Sequence, residues 1–268
     1  MRTALTIAGS DSGGGAGIQA DLKTFAAFGV YGATAITAVT AQNTERVFEV
    51  FPLPTEVVAA QIDAVAADLA VDAVKTGMLA TAAIVEVVAA SVTRWRLANL
   101  VVDPVMVAKS GDRLMAVDAV MRLKDRLLPL ATLVTPNRPE AEALAGMRIH
   151  DLGDARVAAR RIHALGAAAV VIKGGHFEGE LLVNLVFDGS AFHELTTTRI
   201  RSRHTHGTGC TFASATAALL ARGMGVVEAA QAATEYVAGA IGHGLAVGRG
   251  HGPLDHFWRG VPAAGERP

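Results

Sequence analysis

Short apolar runs alternate along this chain with longer stretches whose apolar residues recur at three- and four-residue spacing. The runs fall at residues 5–8, 33–39, 73–76, 100–103, 132–135 and 170–173, each bounded by Gly, Pro or Asp. Runs this short read as buried strands, and the stretches at 18–28, 56–68, 82–93, 117–128, 139–144 and 155–165 read as amphipathic helices. Such alternation predicts right-handed strand–helix–strand crossovers and a mostly parallel sheet covered on both faces. The rhythm changes after residue 175. Residues 181–187 and 191–198 flank Asp188-Gly189, a hairpin turn signal, and predict an antiparallel hairpin added to one edge. Residues 208–222 and 227–246 then read as two long helices, the first so rich in Ala that it must pack closely against a neighbour. The fold class is α/β, a three-layer α/β/α unit. We expect one domain over 1–260 and a loose Pro- and charge-rich tail over 261–268.

Composition narrows the function classes. The 268 residues are 51% hydrophobic and 18% charged, enough for a sizeable core and too apolar for disorder. A net charge of -1 carries no electrostatic footprint for nucleic acid or an acidic membrane. The short cluster Arg199, Arg201 and Arg203 reads as a solvated strand or loop. Apolar runs are broken well short of the ~18 residues a membrane helix needs. The brief apolar start before the first glycines does not make a signal peptide. With Cys210 the only cysteine, no internal disulfide can form. We expect a cytoplasmic protein with neither a nucleic-acid nor a membrane partner.

In an open parallel sheet, ligands bind at the carboxyl ends of the strands, so the loops that follow strands hold the candidate chemistry. THGTGCT at 205–211 stands just before the Ala-rich helix. Gly207 and Gly209 let the backbone approach a ligand. The first free N–H groups of the helix, Thr208 among them, then form an anion hole suited to a phosphoryl group in flight. A plain helix start capped by Thr205 or Thr208 is the bland alternative. The loop is not a Walker A motif, which needs Gly-Lys-Ser/Thr after four spacers. Cys210 falls in the first helical turn, where a thiol should have a lowered pKa and could take a proton from a substrate hydroxyl. A small buried residue is the commoner fate of a lone cysteine.

GSDSGGGAG at 9–17 follows the first predicted strand but fails the G-x-G-x-x-G pattern, and no acidic residue closes a second strand ~20 residues on, so a dinucleotide site is rejected. The loop can still fold round a small ligand, with Asp21 reaching inward from the next helix or serving as a first-turn charge. Gln42, in AQN at 41–43, offers a donor beside an acceptor, which pairs with the ring nitrogen and exocyclic amine of an aminopyrimidine. As a lone signal it reads equally as a loop amide. Asp103 and Glu140 stand just past strand ends, where carboxylates hold Mg²⁺, often through water. Asn137 reads as an N-cap with Pro139 near the first turn, a role compatible with a nucleotide contact. Lys173 ends another strand, where an ammonium can meet a nucleotide phosphate.

These segments, together with KTGM at 75–78, DPVMVAKSG at 103–111, TPNRPE at 135–140 and KGGH at 173–176, occur in order between about residue 4 and His256. Together they closely resemble the hydroxymethylpyrimidine/phosphomethylpyrimidine kinases of thiamine biosynthesis, members of the ribokinase-like superfamily. The resemblance implies ATP and Mg²⁺ as cofactors and two successive phosphorylations, of 4-amino-5-hydroxymethyl-2-methylpyrimidine and then of its monophosphate. It implies Gln42 as the pyrimidine-binding residue, with Gly9, Ala16, Asp21, Met78 and Val105 as the rest of the pocket wall. Cys210 matches the proposed catalytic base and the Gly207–Cys210 backbone the anion hole. Asp103, Asn137, Glu140 and Lys173 match positions around Mg²⁺ and the ATP phosphates. A homodimer is implied too. His204 departs from the pattern, standing where Asn is expected, a place from which it could alter nucleotide contacts.

Two alternatives stay open. A pyridoxal kinase of the same family would phosphorylate a hydroxymethyl on a pyridine, although Gln42 favours the ring with the adjacent amine. A catalytically silent binding protein on this scaffold need not keep Cys210, Asp103, Glu140 and Lys173 together. The length leaves no room for a fused second pathway enzyme.

Overall fold

The computed structural model describes residues 1–107, 111–112, 114–174 and 180–260. Its elements run β1 (Thr3–Asp11), α1 (Gly17–Ala27), β2 (Tyr31–Gln42), β3 (Val47–Pro52), α2 (Thr55–Asp68), β4 (Ala73–Thr76), α3 (Ala82–Trp95), β5 (Leu100–Val102), α4 (Val117–Arg122), β6 (Leu133–Val134), α5 (Arg138–Ala145), α6 (Leu152–His163), β7 (Val170–Ile172), β8 (Leu181–Phe187), β9 (Phe192–Thr198), α7 (Thr208–Ala221) and α8 (Val226–Gly242). Ala108, Lys109 and Ser110 of DPVMVAKSG, Gly175 and His176 of KGGH, and the tail 261–268 lie outside the described residues.

The strands form one sheet in the order β3-β2-β1-β4-β5-β6-β7-β8-β9. From β2 to β7 neighbours are parallel, while β3 at one end and the β8–β9 hairpin at the other are antiparallel. Alternate strand residues feed two separate cores. Leu100, Val102, Val74, Val134 and Ile172 pack under α2 to α6. Val101, Ala73, Leu133 and Val171 pack under α7 and α8 and against Phe25 of α1. This is the predicted three-layer unit, and the mostly parallel sheet has the predicted edge hairpin.

Three differences have physical reasons. Strand β3 was not expected. Phe48 and Phe51 stay largely exposed, so β3 exists through backbone pairing with β2 and not through burial, and no burial pattern marks it. The helix expected over 117–128 ends as α-helix at Arg122 and continues as a π turn over Leu123–Leu127, just ahead of Pro129, which has no N–H to give. Within β2 the buried positions change phase: Ala33, Ala35 and Thr37 point inward, then Ala38 and Thr40 do. The pairing with β1 slips between Ala8 and Ser10, a bulge that turns the end of β2 over. Thr40 and Gln42 thereby share one side, their side chains 3.2 Å apart.

Candidate active site

The start of α7 is the centre of the site. Gly207 is its N-cap at φ +82°, a left-handed conformation that a side chain would strain, and any Cβ there would run into the Gly15 carbonyl. No side chain caps the helix: Thr208 Oγ1 donates to Thr205 O at 2.7 Å, and the Thr208 amide, expected to be free, makes a long bond to the same carbonyl at 3.4 Å, which leaves the Gly209 and Cys210 amides as the open ones. The plain capped start is therefore not what forms. Unfilled amides at the positive end of a 14-residue helix make an anion site.

Opposite these amides stands a charged group from the ends of β5, β6 and β7. A side chain on Gly209 would begin 3.2 Å from Lys173 Nζ and 3.7 Å from Asp103 Oδ2. Lys173 donates to Asp103 Oδ1 at 2.9 Å. Burial works against the Lys173 charge, but Asp103 and Glu140 outweigh it and hold its pKa up. Glu140 is pushed up to about 7 by burial, with Asp103 adding to the rise and Lys173 opposing it. Asn137 and Glu140 form a reciprocal capping box on α5, Glu140 N donating to Asn137 Oδ1 at 3.0 Å and Asn137 N to Glu140 Oε2 at 2.8 Å. The cap occupies the Asn137 side-chain carbonyl and one Glu140 oxygen, the Met106 amide also donates to the Glu140 carboxylate, and the Asn137 backbone forms a β-bridge with Lys173. Asp103 pairs with Lys173 and Glu140 acts on it from a distance, and the two carboxylates form an oxygen-only donor set that suits a hard cation. Among the described residues no three His, Cys, Asp or Glu side chains converge as a metal cage.

Cys210 corrects one expectation. The thiol is not acidified. Burial pushes it up to about 11, with Asp21 and Asp103 adding to the rise, while Lys75 and a hydrogen bond from the Gly17 amide oppose it. Helix position loses here because desolvation and two carboxylates outweigh the dipole. Asp21 corrects another. It does not line the ligand space. Both side chains of the Asp21–Lys75 pair are fully buried, and Asp21 also accepts from Thr6 at 2.6 Å and from Ser214 at 2.6 Å. Ser214 is one turn beyond Cys210 on α7, so this network lies beneath the Cys210 turn and ties α1, β1, β4 and α7 together.

The other candidate pocket residues stand at or just past the ends of β1, β2, β4 and β5. A side chain on Gly9 would collide with the end of Met78, so the backbone there is a close-fitting wall, and Thr37 Oγ1 fixes the Met78 carbonyl at 2.6 Å. Ala16 is the uncapped N-cap of α1, and Val105 lies half-buried just past Asp103. Gln42 faces His206, which comes from the α7 loop and is bound to Asp11 at 2.8 Å. Asp11, Lys75 and His206 carried no role in the sequence reading. Each sat inside a quoted motif, and their pairing joins residues up to 195 positions apart, which no local spacing reveals. His204 lies beside Gly244 and Gly252, and its Nδ1 is buried without a partner.

Comparison with known proteins is consistent with this geometry. A family model described as phosphomethylpyrimidine kinase matches residues 11–255. The hydroxymethylpyrimidine/phosphomethylpyrimidine kinase of Bacillus subtilis is 51% identical over 255 residues, covering 95% of this chain and 94% of that protein. A thiamine biosynthesis bifunctional protein of Geobacter sulfurreducens is 54% identical over 253 residues, 94% of this chain but 52% of that protein, so the chain spans about half the length of this relative. An ADP complex of Bacillus subtilis pyridoxal kinase superposes with a TM-score of 0.91 at 43% identity, covering 97% of this chain and 98% of that one.

Proposed function

This chain belongs to the phosphomethylpyrimidine kinase family, and on that premise we propose that it transfers the γ-phosphoryl group of ATP to 4-amino-5-hydroxymethyl-2-methylpyrimidine and then to the resulting monophosphate. One observation carries the reading: the uncapped start of α7 faces the Lys173–Asp103 pair across Gly209. A phosphoryl group between them meets amides on one side and an ammonium on the other. Transfer of this kind needs positioning and charge neutralisation more than covalent help.

The residues take these roles in the proposal. The Gly207–Cys210 amides hold the transferring group. Lys173 meets the ATP phosphates, with Asn137 and Glu140 at the nucleotide edge. Asp103 and Glu140 would hold Mg²⁺, which when bound neutralises charge on the phosphate oxygens. Gln42 reads the aminopyrimidine edge against Gly9, Ala16, Met78 and Val105. Cys210 acts in its thiolate form, which takes the hydroxyl proton and becomes the thiol as transfer proceeds, and Lys75 beneath it stabilises the thiolate before transfer. Asp21 acts through Lys75.

The proposal includes a cytoplasmic homodimer. Val39 and Phe51 are cross-strand partners on the β2–β3 edge and stay 46% and 62% exposed, with Phe48 exposed on the same edge strand. An exposed apolar edge strand is a template for pairing with a second copy. No helix among the described residues is long and apolar enough to cross a membrane.

The test is purified protein with MgATP and, in parallel, the hydroxymethylpyrimidine, its monophosphate and pyridoxal, with products followed by mass spectrometry. Formation of mono- and diphosphate with higher kcat/KM than pyridoxal supports the reading. Preference for pyridoxal replaces it with the pyridine kinase. No turnover on any acceptor leaves a binding protein.

A further inference from the structure

His206 is held more tightly than a loop histidine needs to be. Its backbone amide donates to Gly252 O at 3.1 Å, and it forms a β-bridge with Pro253. Its ring packs so closely on Gly15 that a side chain there would collide with it. The ring nitrogen Nε2 lies 2.8 Å from Asp11 Oδ2 and 3.4 Å from the Gln42 amide. Asp11 is itself fixed, accepting from Gly13 N at 2.8 Å, Gly15 N at 3.1 Å and Ala16 N at 2.8 Å. Burial would raise its pKa, but the His206 contact and these amides outweigh that and keep it ionised.

The structure places the Gln42 nitrogen toward His206 and its oxygen toward Thr40, but the two amide positions interchange by a flip, and two constraints act on that choice. An ionised Asp11 only accepts, so Nε2 of His206 carries the hydrogen between them. A Gln42 NH₂ facing that hydrogen at 3.4 Å would be repelled, so the Gln42 oxygen belongs on the His206 side. On the other side, Thr40 Oγ1 lies 3.0 Å from Ser10 O and 3.2 Å from the Gln42 amide oxygen, and its single hydrogen can serve only one of them; given to Ser10 O, it leaves the Thr40 oxygen as an acceptor, which calls for the Gln42 nitrogen. The Gln42 nitrogen therefore belongs there. Both neighbours select the same orientation. It leaves one carbonyl lone pair and one N–H, in fixed order, for a ligand.

We propose that His206, anchored by Asp11, is a positioning residue that locks the Gln42 amide in the orientation able to read a ring nitrogen beside an exocyclic amine. It thereby sets the preference for an aminopyrimidine over a ring lacking that amine. The inference rests on Gln42 being the residue that reads the ring.

The test is steady-state kinetics on His206→Leu, His206→Gln, Gln42→Leu and the double variant Gln42→Leu/His206→Leu, with the hydroxymethylpyrimidine and with pyridoxal. His206→Leu removes the N–H, and KM for the hydroxymethylpyrimidine should rise about tenfold, the size of one lost orienting hydrogen bond. The kcat and the KM for ATP should stay within about twofold, and the kcat/KM preference over pyridoxal should fall with the KM. His206→Gln keeps a donor and should recover most of the loss. The double variant should be no worse than Gln42→Leu alone, because the two act as one unit. Independent, multiplying effects of the two substitutions overturn the proposal, as does an equal rise in the KM for ATP. If Gln42→Leu leaves the pyrimidine KM unchanged, the reading of Gln42 fails and takes the proposal with it. If Gln42→Leu raises that KM and His206→Leu does not, the proposal alone fails. Calorimetric binding of the hydroxymethylpyrimidine counts only folded protein and reads the same contrast if the leucine variant is partly unfolded.

Discussion

Lys75 Nζ lies 2.8 Å from both carboxylate oxygens of Asp21, and neither side chain reaches solvent. A buried pair is costly to break from one side, because the survivor is left as an uncompensated charge. Asp21→Leu should therefore lower the free energy of unfolding by about 3–5 kcal/mol in urea denaturation. The double variant Asp21→Leu/Lys75→Met should recover much of that. A double variant as unstable as the sum of the singles would show that the pair is not the unit of stability.

Cys210 is a thiol at neutral pH, with its pKa pushed up to about 11 by burial. The thiolate fraction then rises about tenfold per pH unit below that value. Wild-type kcat should climb between about pH 7 and pH 9, and Cys210→Ala should flatten the climb. The same substitution should cut kcat by roughly 10²–10⁴-fold, the usual worth of a general base, with the KM for ATP little changed. A loss of only a few-fold with an unaltered pH profile would remove Cys210 from the base role.

His256 sits under α7, its Nε2 3.1 Å from Thr211 Oγ1, and its pKa is lowered from 6.5 to about 4 by burial, with Lys23 adding and Asp255 opposing. Between these values the unfolded chain binds a proton that the folded protein refuses. Stability should thus fall as pH drops through this window, by up to roughly 3 kcal/mol. His256→Gln keeps an acceptor for Thr211 and should flatten the dependence. Urea midpoints from pH 7 to pH 4 that track each other in both proteins would assign the acid loss elsewhere.

The β2–β3 edge offers the oligomer test. Phe51→Asp places a charge on a residue that is already largely exposed, so the fold should survive. Light scattering should report a dimer for the wild type and a monomer for the variant. A variant that stays dimeric would move the interface to another face.

Most of the scaffold was legible because it rests on local repetition. Strand β4 and strand β8 have the bounds expected from apolar run length, and the Asp188-Gly189 turn joins β8 to β9. Strand β3 was not legible, since its pairing with β2 is a backbone property that exposed Phe48 and Phe51 do not announce. Among site residues, the glycines of the α7 loop and the carboxylates past strand ends could be read from position alone. The direction of the Cys210 pKa could not. It depends on Asp21, Asp103 and Lys75, which come from three other elements.

By itself the sequence determined the alternation of strands and helices, the glycine-rich start of α7 and the family of the chain. Each is encoded in near neighbours, through periodicity, glycine conformational freedom or contiguous motif. Tertiary structure alone decided that Asp21 serves Lys75 and not a ligand, that burial holds the Cys210 proton, and that His206, bound to Asp11, faces Gln42. Those outcomes depend on desolvation and on contacts across up to 195 residues of chain, and neither exists until the sheet has assembled.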